Sequence, residues 1–79
     1  MDQEHRYFYE VCKTRNITKA AHNLFISQPA LSTAIKKLEQ RLGVKLLDRK
    51  NSPLTLTQAG RIYLNETEKI KLAEEDMFH

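Results

Sequence analysis

Ala20-Ala21-His22-Asn23-Leu24-Phe25-Ile26-Ser27-Gln28-Pro29-Ala30-Leu31-Ser32-Thr33-Ala34-Ile35-Lys36-Lys37-Leu38 decides how this chain folds. It reads as two helices joined by a short turn. Ala20, Ala21 and Leu24 face inward on the first, and two adjacent alanines let another helix approach closely. Phe25-Ile26-Ser27 is the connection, and Ser27 is placed to cap the next helix. Pro29 falls in that helix's first turn, where a missing N–H costs little. Leu31, Ile35, Leu38 and Leu42 recur at i, i+4, i+7 and i+11, an apolar stripe that ends at Gly43. Opposite it lie Pro29, Ser32, Thr33, Lys36 and Gln40, a polar and basic face free of acids, with Glu39 at one edge.

Upstream, residues 3–15 read as a helix, with Phe8, Val11 and Cys12 at helical spacing and Lys13 and Arg15 at its C-terminal end. Thr18 reads as the N-cap of the short second helix. Downstream of Gly43 the period changes. Val44 to Leu47 is apolar, Asp48-Arg49-Lys50-Asn51-Ser52-Pro53 is turn chemistry, and Leu54-Thr55-Leu56 alternates. These predict a small β-hairpin, residues 45–49 and 53–56, with a basic tip. Thr57 is the cap of a fourth helix running from about Gln58 to the end. Along it Ala59, Tyr63, Glu66, Ile70, Ala73 and Met77 follow a 4-3-4-3-4 spacing, a coiled-coil-like seam interrupted by Glu66. Gly60 weakens helix propensity there, and close packing against another helix would account for it.

The expected architecture is therefore mainly α: a three-helix winged helix-turn-helix with a hairpin wing over residues 1–57, and a long linker helix over 58–79. A chain of 79 residues supports one small domain and no deep pocket beside its core. One cysteine excludes an internal disulfide, and no apolar run reaches the roughly 20 residues that span a membrane. The start, Met-Asp-Gln-Glu-His, lacks a signal-peptide pattern, so a cytoplasmic location is expected.

Net charge is +3, but its distribution is uneven. Residues 13–50 carry nine basic side chains against Glu39 and Asp48, a local charge of +7, whereas residues 62–79 carry −3. One end of the molecule attracts polyanions. In a helix-turn-helix the second helix of the pair lies in the major groove and the first crosses the backbone. Gln28 can make paired hydrogen bonds to adenine, Ser32 and Thr33 can bond or touch a thymine methyl, and Lys36 reaches a phosphate or guanine. Thr18 and Lys19, with the helix N–H groups, suit a phosphate, as do Ser27 and Lys37 beside the groove. Arg49, Lys50 and Asn51 would place the wing along the backbone or in the minor groove.

Each residue also has a plainer reading. Ser27 is first a cap, Lys36 and Lys37 alone are ordinary solvated lysines, and Arg49 can pair with Asp48 or another acid at the wing's base. Their conjunction in one motif carries the nucleic-acid reading. A winged helix for protein contact predicts an acidic or apolar helix face instead. An enzyme needs several polar groups converging on a pocket. Here His5 and His79 lie at the ends and read as exposed, His22 as partly exposed, and Cys12 as a small core residue. No metal or cofactor is expected.

Phe8-Tyr9-Glu10-Val11, Asn16-Ile17-Thr18-Lys19-Ala20-Ala21, Leu24-Phe25-Ile26-Ser27-Gln28-Pro29-Ala30-Leu31-Ser32, Leu38-Glu39, Leu42-Gly43 and Leu56-Thr57-Gln58-Ala59-Gly60 together resemble the LysR-type transcriptional regulators, in order and without gaps over about residues 6–65. The resemblance implies a bacterial regulator of an interrupted inverted repeat near promoters. It places Gln28, Pro29, Ser32 and Thr33 at the bases, Lys36 close by, and the wing in the minor groove. It also implies homodimers through the linker helix, with Ala59, Tyr63, Ile70, Ala73 and Met77 at the interface, assembled into tetramers in the full-length protein. Family members carry a C-terminal domain of periplasmic-binding-protein type that senses a small-molecule effector, so this chain is expected to be a piece ending inside the linker helix. Family wings often bear a further arginine where this chain has Ser52, which leaves minor-groove insertion to Lys50 or removes it.

Overall fold

The computed structural model describes residues 1–77, in the order α1 (Gln3–Thr14), α2 (Ile17–Asn23), α3 (Gln28–Leu42), β1 (Leu47–Asp48), β2 (Thr55–Leu56) and α4 (Gln58–Met77). Asp2 caps α1, its carboxylate accepting the His5 N–H at 2.9 Å. Arg15 closes that helix in the left-handed region at φ 55°. The chain then restarts at once, and this moves the second cap. Asn16, not Thr18, is the N-cap of α2: its side-chain oxygen accepts the Lys19 N–H at 3.0 Å. Thr18 lies one position inside the helix and is exposed.

Between α2 and α3 the turn is closed by the Ile26 N–H, which donates to the Ala21 carbonyl at 3.1 Å. Phe25 occupies the left-handed position of this turn at φ 59°, where glycine is usual. Its side chain is 95% exposed, so it offsets the backbone cost with no burial. Phe25→Gly is therefore expected to raise stability by roughly 0.5–1 kcal/mol. A melting temperature equal to or below the parent's would show that the phenyl ring makes a contact that matters.

Ser27 caps α3 as expected, accepting the Ala30 N–H at 3.2 Å, and Gly43 ends it at φ 75°. Leu31, Ile35 and Leu38 are buried with Phe8, Val11, Cys12, Ala20 and Ala21 in one core, which Leu46, Leu47 and Leu56 of the wing complete. The stripe stops short of Leu42, which is 39% exposed because the last turn of α3 extends past the core.

The wing is shorter than its sequence suggests. Only Leu47 pairs with Leu56 and Asp48 with Thr55, antiparallel. The flanking backbone groups are committed elsewhere. The Leu46 N–H goes to the Glu39 carboxylate, and the Leu46 carbonyl accepts the Thr57 N–H. The Leu54 N–H reaches the Arg15 carbonyl, while Pro53 has no N–H to give. Arg15 strengthens that stitch, donating from Nη1 to the Leu54 carbonyl at 3.3 Å and from Nε to the Cys12 carbonyl at 2.9 Å.

Thr57 caps α4, its hydroxyl accepting the Gly60 N–H at 3.0 Å and donating to the Lys45 carbonyl at 2.6 Å. Gly60 is packed not against another helix but against the chain entering β1, where a Cβ would meet the Leu46 carbonyl oxygen at 2.0 Å. The first half of α4 docks on α1. Tyr63 meets Phe8 edge to face at 5.1 Å and stacks on His5 at 4.9 Å. Thr67, one turn on, is fully buried and donates its hydroxyl to the Tyr63 carbonyl at 2.9 Å. Lys71 donates to the Tyr9 hydroxyl at 3.2 Å and lies 4.9 Å above its ring. His5 is thus a packed residue, bonded through Nδ1 to Asp2 at 2.7 Å, and not the exposed end residue its position suggests. His79 and the end of the fourth helix expected there lie outside the described residues.

Candidate nucleic-acid interface

The exposed side of α3 is built from the positions its apolar stripe leaves over. Gln28, Pro29, Thr33, Lys36, Lys37 and Gln40 are exposed, and Ser32 is half-buried. Ser27, exposed as well, spends its hydroxyl on the helix cap. Thr18 and Lys19 are exposed on the first turn of α2, and His22 is exposed at its end. The sequence contains one acid within α3, Glu39, and it is 4% exposed and turned inward. No carboxylate of α3 itself therefore competes with a polyanion for its outer face. Arg41 is drawn aside by Glu4 of α1, with which it pairs.

An open groove runs between that face and the start of α1, lined by Gln3, Glu4, Pro29, Thr33 and Lys37 among others. Lys37 lines its α3 side, and Glu4, the acid on its α1 side, is the one that pairs with Arg41.

In the wing, the three basic-tip residues take different parts. Lys50 is exposed, with its backbone N–H held by the Asp48 carboxylate at 3.0 Å. Asn51 donates to the Thr55 hydroxyl at 3.0 Å, so its amide is used to shape the loop. Arg49 turns back toward the helix, its Nη2 3.6 Å from the Glu39 carboxylate. That is the pairing at the wing's base which the sequence left open, with Glu39 and not Asp48 as the acid. Lys45 joins Arg49 and Lys50 around a shallow depression beside Glu39.

The five residues of the expected helical seam divide into two groups. Ala59 and Tyr63 pack against the core of this same domain. Ile70, Ala73 and Met77 are exposed farther along α4, Met77 at 77%. Beside Ala59 and Tyr63 lies an apolar groove that also includes Leu42, Val44 and Ile62, the last 60% exposed. Sequence reasoning passed over Asn16, Arg15, Glu39 and Ile62. Glu39 had a signal: it stands four residues after Ile35 and eight after Leu31, on the flank of the buried stripe.

Burial pushes the Cys12 thiol up to about 12, away from nucleophilic chemistry. Among the described residues no three His, Cys, Asp or Glu side chains cluster as metal ligands, and no helix is long and apolar enough to cross a membrane.

Residues 3–61 match the sequence profile described as bacterial regulatory helix-turn-helix protein, lysR family. A probable RuBisCO transcriptional regulator of Trieres chinensis is 45% identical over 68 residues, covering 86% of this chain and 22% of that protein. The chain spans a fifth to a quarter of the length of the curated relatives it matches. Two solved structures are similar throughout. One is the BenM DNA-binding domain with catB site 1 DNA, at TM-score 0.90 and 35% identity, covering 99% of this chain and 85% of that one. The other is the complex of the CbnR DNA-binding domain with DNA, at TM-score 0.84 and 35% identity, covering 96% and 90%. With its three-helix core, short turn, hairpin wing and long fourth helix in the order of those domains, the chain belongs to the lysR family of bacterial regulatory helix-turn-helix proteins.

Proposed function

We propose that this chain binds double-stranded DNA sequence-specifically, with α3 in the major groove and the wing near the minor groove or backbone, as part of a cytoplasmic transcriptional regulator. It acts as a binding module and not as an enzyme. The observation that carries the reading is the burial of Glu39, which leaves the outer face of α3 neutral or positive along its length. The solved DNA complexes of similar domains support it. Gln28, Pro29, Ser32 and Thr33 face the bases, with Lys36 beside them. Thr18, Lys19, Ser27 and Lys37 flank the groove at the phosphates, and Arg49, Lys50 and Asn51 belong to the wing. Residues 1–57 form the DNA-binding unit, and residues 58–79 begin a linker helix. A second copy pairs along that helix through Ile70, Ala73 and Met77, with Ala59 and Tyr63 at its domain-proximal end. In the longer protein such dimers join as tetramers, and a C-terminal domain takes the small-molecule effector. No cofactor is required.

Selection of duplexes from a random pool at moderate salt tests this reading. An enriched inverted repeat is expected, and binding that shows no enrichment and vanishes as salt rises would reduce the interaction to charge attraction. Gln28→Ala is expected to lose about 1–3 kcal/mol of discrimination at one base position of the selected site. Lys36→Ala, if its partner is a phosphate, weakens all duplexes alike and lowers the salt slope by about one. Competition titrations against single-base variants separate the two roles. Undiminished discrimination by the Gln28 variant removes that residue from base readout.

A further inference from the structure

Glu39 is a charged side chain with almost no access to water, and its two carboxylate oxygens are treated differently. Oε2 accepts the backbone N–H of Leu46 at 2.7 Å and of Leu47 at 3.3 Å, the residues by which the chain enters β1. Oε1 is buried without a hydrogen-bond partner, and the charge facing it is Arg49 Nη2 at 3.6 Å. The same residue's carbonyl accepts the N–H of Gly43 at 2.8 Å and of Val44 at 3.2 Å, closing α3. One residue therefore ends the helix, grips the first wing strand by its backbone and draws the wing's arginine inward. A buried carboxylate is costly unless paired, and replacing it with an apolar residue of similar size is often neutral or stabilising. Stability alone is thus a weak reason for it. What an apolar residue cannot do is fix the direction of two backbone N–H groups and one guanidinium.

We infer that Glu39 is a positioning residue for DNA binding, acting with Arg49 as a clamp that holds the wing in register with α3, and that Arg49 works through Glu39 rather than on a phosphate. This rests on the DNA-binding reading above. A wing free to pivot still leaves α3 able to enter a major groove, but the two elements no longer meet neighbouring parts of one duplex together. The clamp therefore adds affinity on a duplex long enough for the wing to touch. It adds none on a duplex trimmed to the base pairs under α3.

Two arms test it, one without DNA. In the free protein, Glu39→Ala is expected to speed hydrogen exchange at the Leu46 and Leu47 amides by about 10-fold or more relative to the Ile35 and Leu38 amides in mid-helix. Equal exchange there overturns the clamp whatever the protein binds. In the second arm the probe is the duplex enriched from a random pool by the unaltered chain, full length and trimmed. Glu39→Gln keeps the side chain's shape and one acceptor but removes the charge opposite Arg49. It is expected to weaken the full-length duplex by about 10-fold and the trimmed one by less than about 2-fold. Arg49→Gln, which leaves the Leu46 and Leu47 N–H bonds to Glu39 in place, should do the same with an unchanged salt slope. The double variant should be no weaker than either single one. Equal losses on both duplexes, additive losses in the double variant, or a salt slope lower by about one for Arg49→Gln overturn the inference. If the unaltered chain enriches no duplex, the DNA-binding reading falls, while the exchange arm still judges the clamp.

Discussion

Gly60→Ala is expected to destabilise the protein by about 2–3 kcal/mol, against the stabilisation of about 1 kcal/mol that removing a glycine from an exposed helix brings. The sign reverses because of one atom. A Cβ on Gly60 would lie 2.0 Å from the Leu46 carbonyl oxygen and 3.0 Å from its carbon. A flexible side chain would swing aside at little cost, but this neighbour is backbone and is held on three sides. Its carbonyl accepts the Thr57 N–H, its own N–H is taken by Glu39, and its side chain is 1% exposed in the core. To make room, α4 must lift from the wing's base, which loosens the Thr57 cap and the burial of Leu46 together. Urea unfolding of Gly60→Ala beside the exposed control Asn65→Ala measures this, the control staying within about 0.5 kcal/mol of the parent. A Gly60→Ala midpoint above the parent's would mean that α4 does not approach the wing so closely.

The same junction shows where sequence and structure part. Helix α3 was legible end to end because local chemistry marks both its ends: Ser27 caps it, Pro29 fits its first turn, and Gly43 adopts without a Cβ penalty the φ of 75° that ends it. Its outward residues followed from that register, so the exposed Gln28, Thr33 and Lys36 needed no tertiary information. The cap of α2 was ambiguous because Asn16 and Thr18 are both good caps. Arg15 decided it by adopting the left-handed conformation and bonding to the wing, 39 residues away in sequence. The wing is two residues long per strand because Leu46 and Leu54 give their N–H groups to Glu39 of α3 and to Arg15, the residue that closes α1, which no local pattern records. Tyr63 follows the period of a dimer seam and stacks within its own domain, because the near end of that one face docks on α1 while its far end stays exposed. Long-range hydrogen bonds and close approaches were thus the illegible part, and Glu39 belongs to it: its charge suggested the surface, while its spacing from Ile35 agreed with burial.

Phe8→Ala carries the largest expected cost, about 3–5 kcal/mol. Phe8 is fully buried and heads the fully buried side chains by size. It stands where α1 meets both halves of the molecule, inside the core of α2, α3 and wing and edge to face with Tyr63 of α4. Truncation removes the transfer energy of the ring, leaves a cavity that rigid helices close only in part, and takes away the Tyr63 contact. A domain of this length has a total stability on the order of 4–12 kcal/mol, so the loss is a large share of the whole. The variant is expected to be substantially unfolded at 37 °C, while Phe8→Leu, which keeps most of the volume, loses about 1–2 kcal/mol and stays folded. Phe8 has no exposed surface with which to touch DNA, so its effect on binding must pass through the folded population. Apparent affinity then falls in proportion to the folded fraction and returns when a stabilising osmolyte restores that fraction. Circular dichroism and DNA titration on the same samples, with and without the osmolyte, test both statements. Affinity that stays low once the helical signal has recovered would mean that Phe8 sets the geometry of the binding face and not merely the stability beneath it.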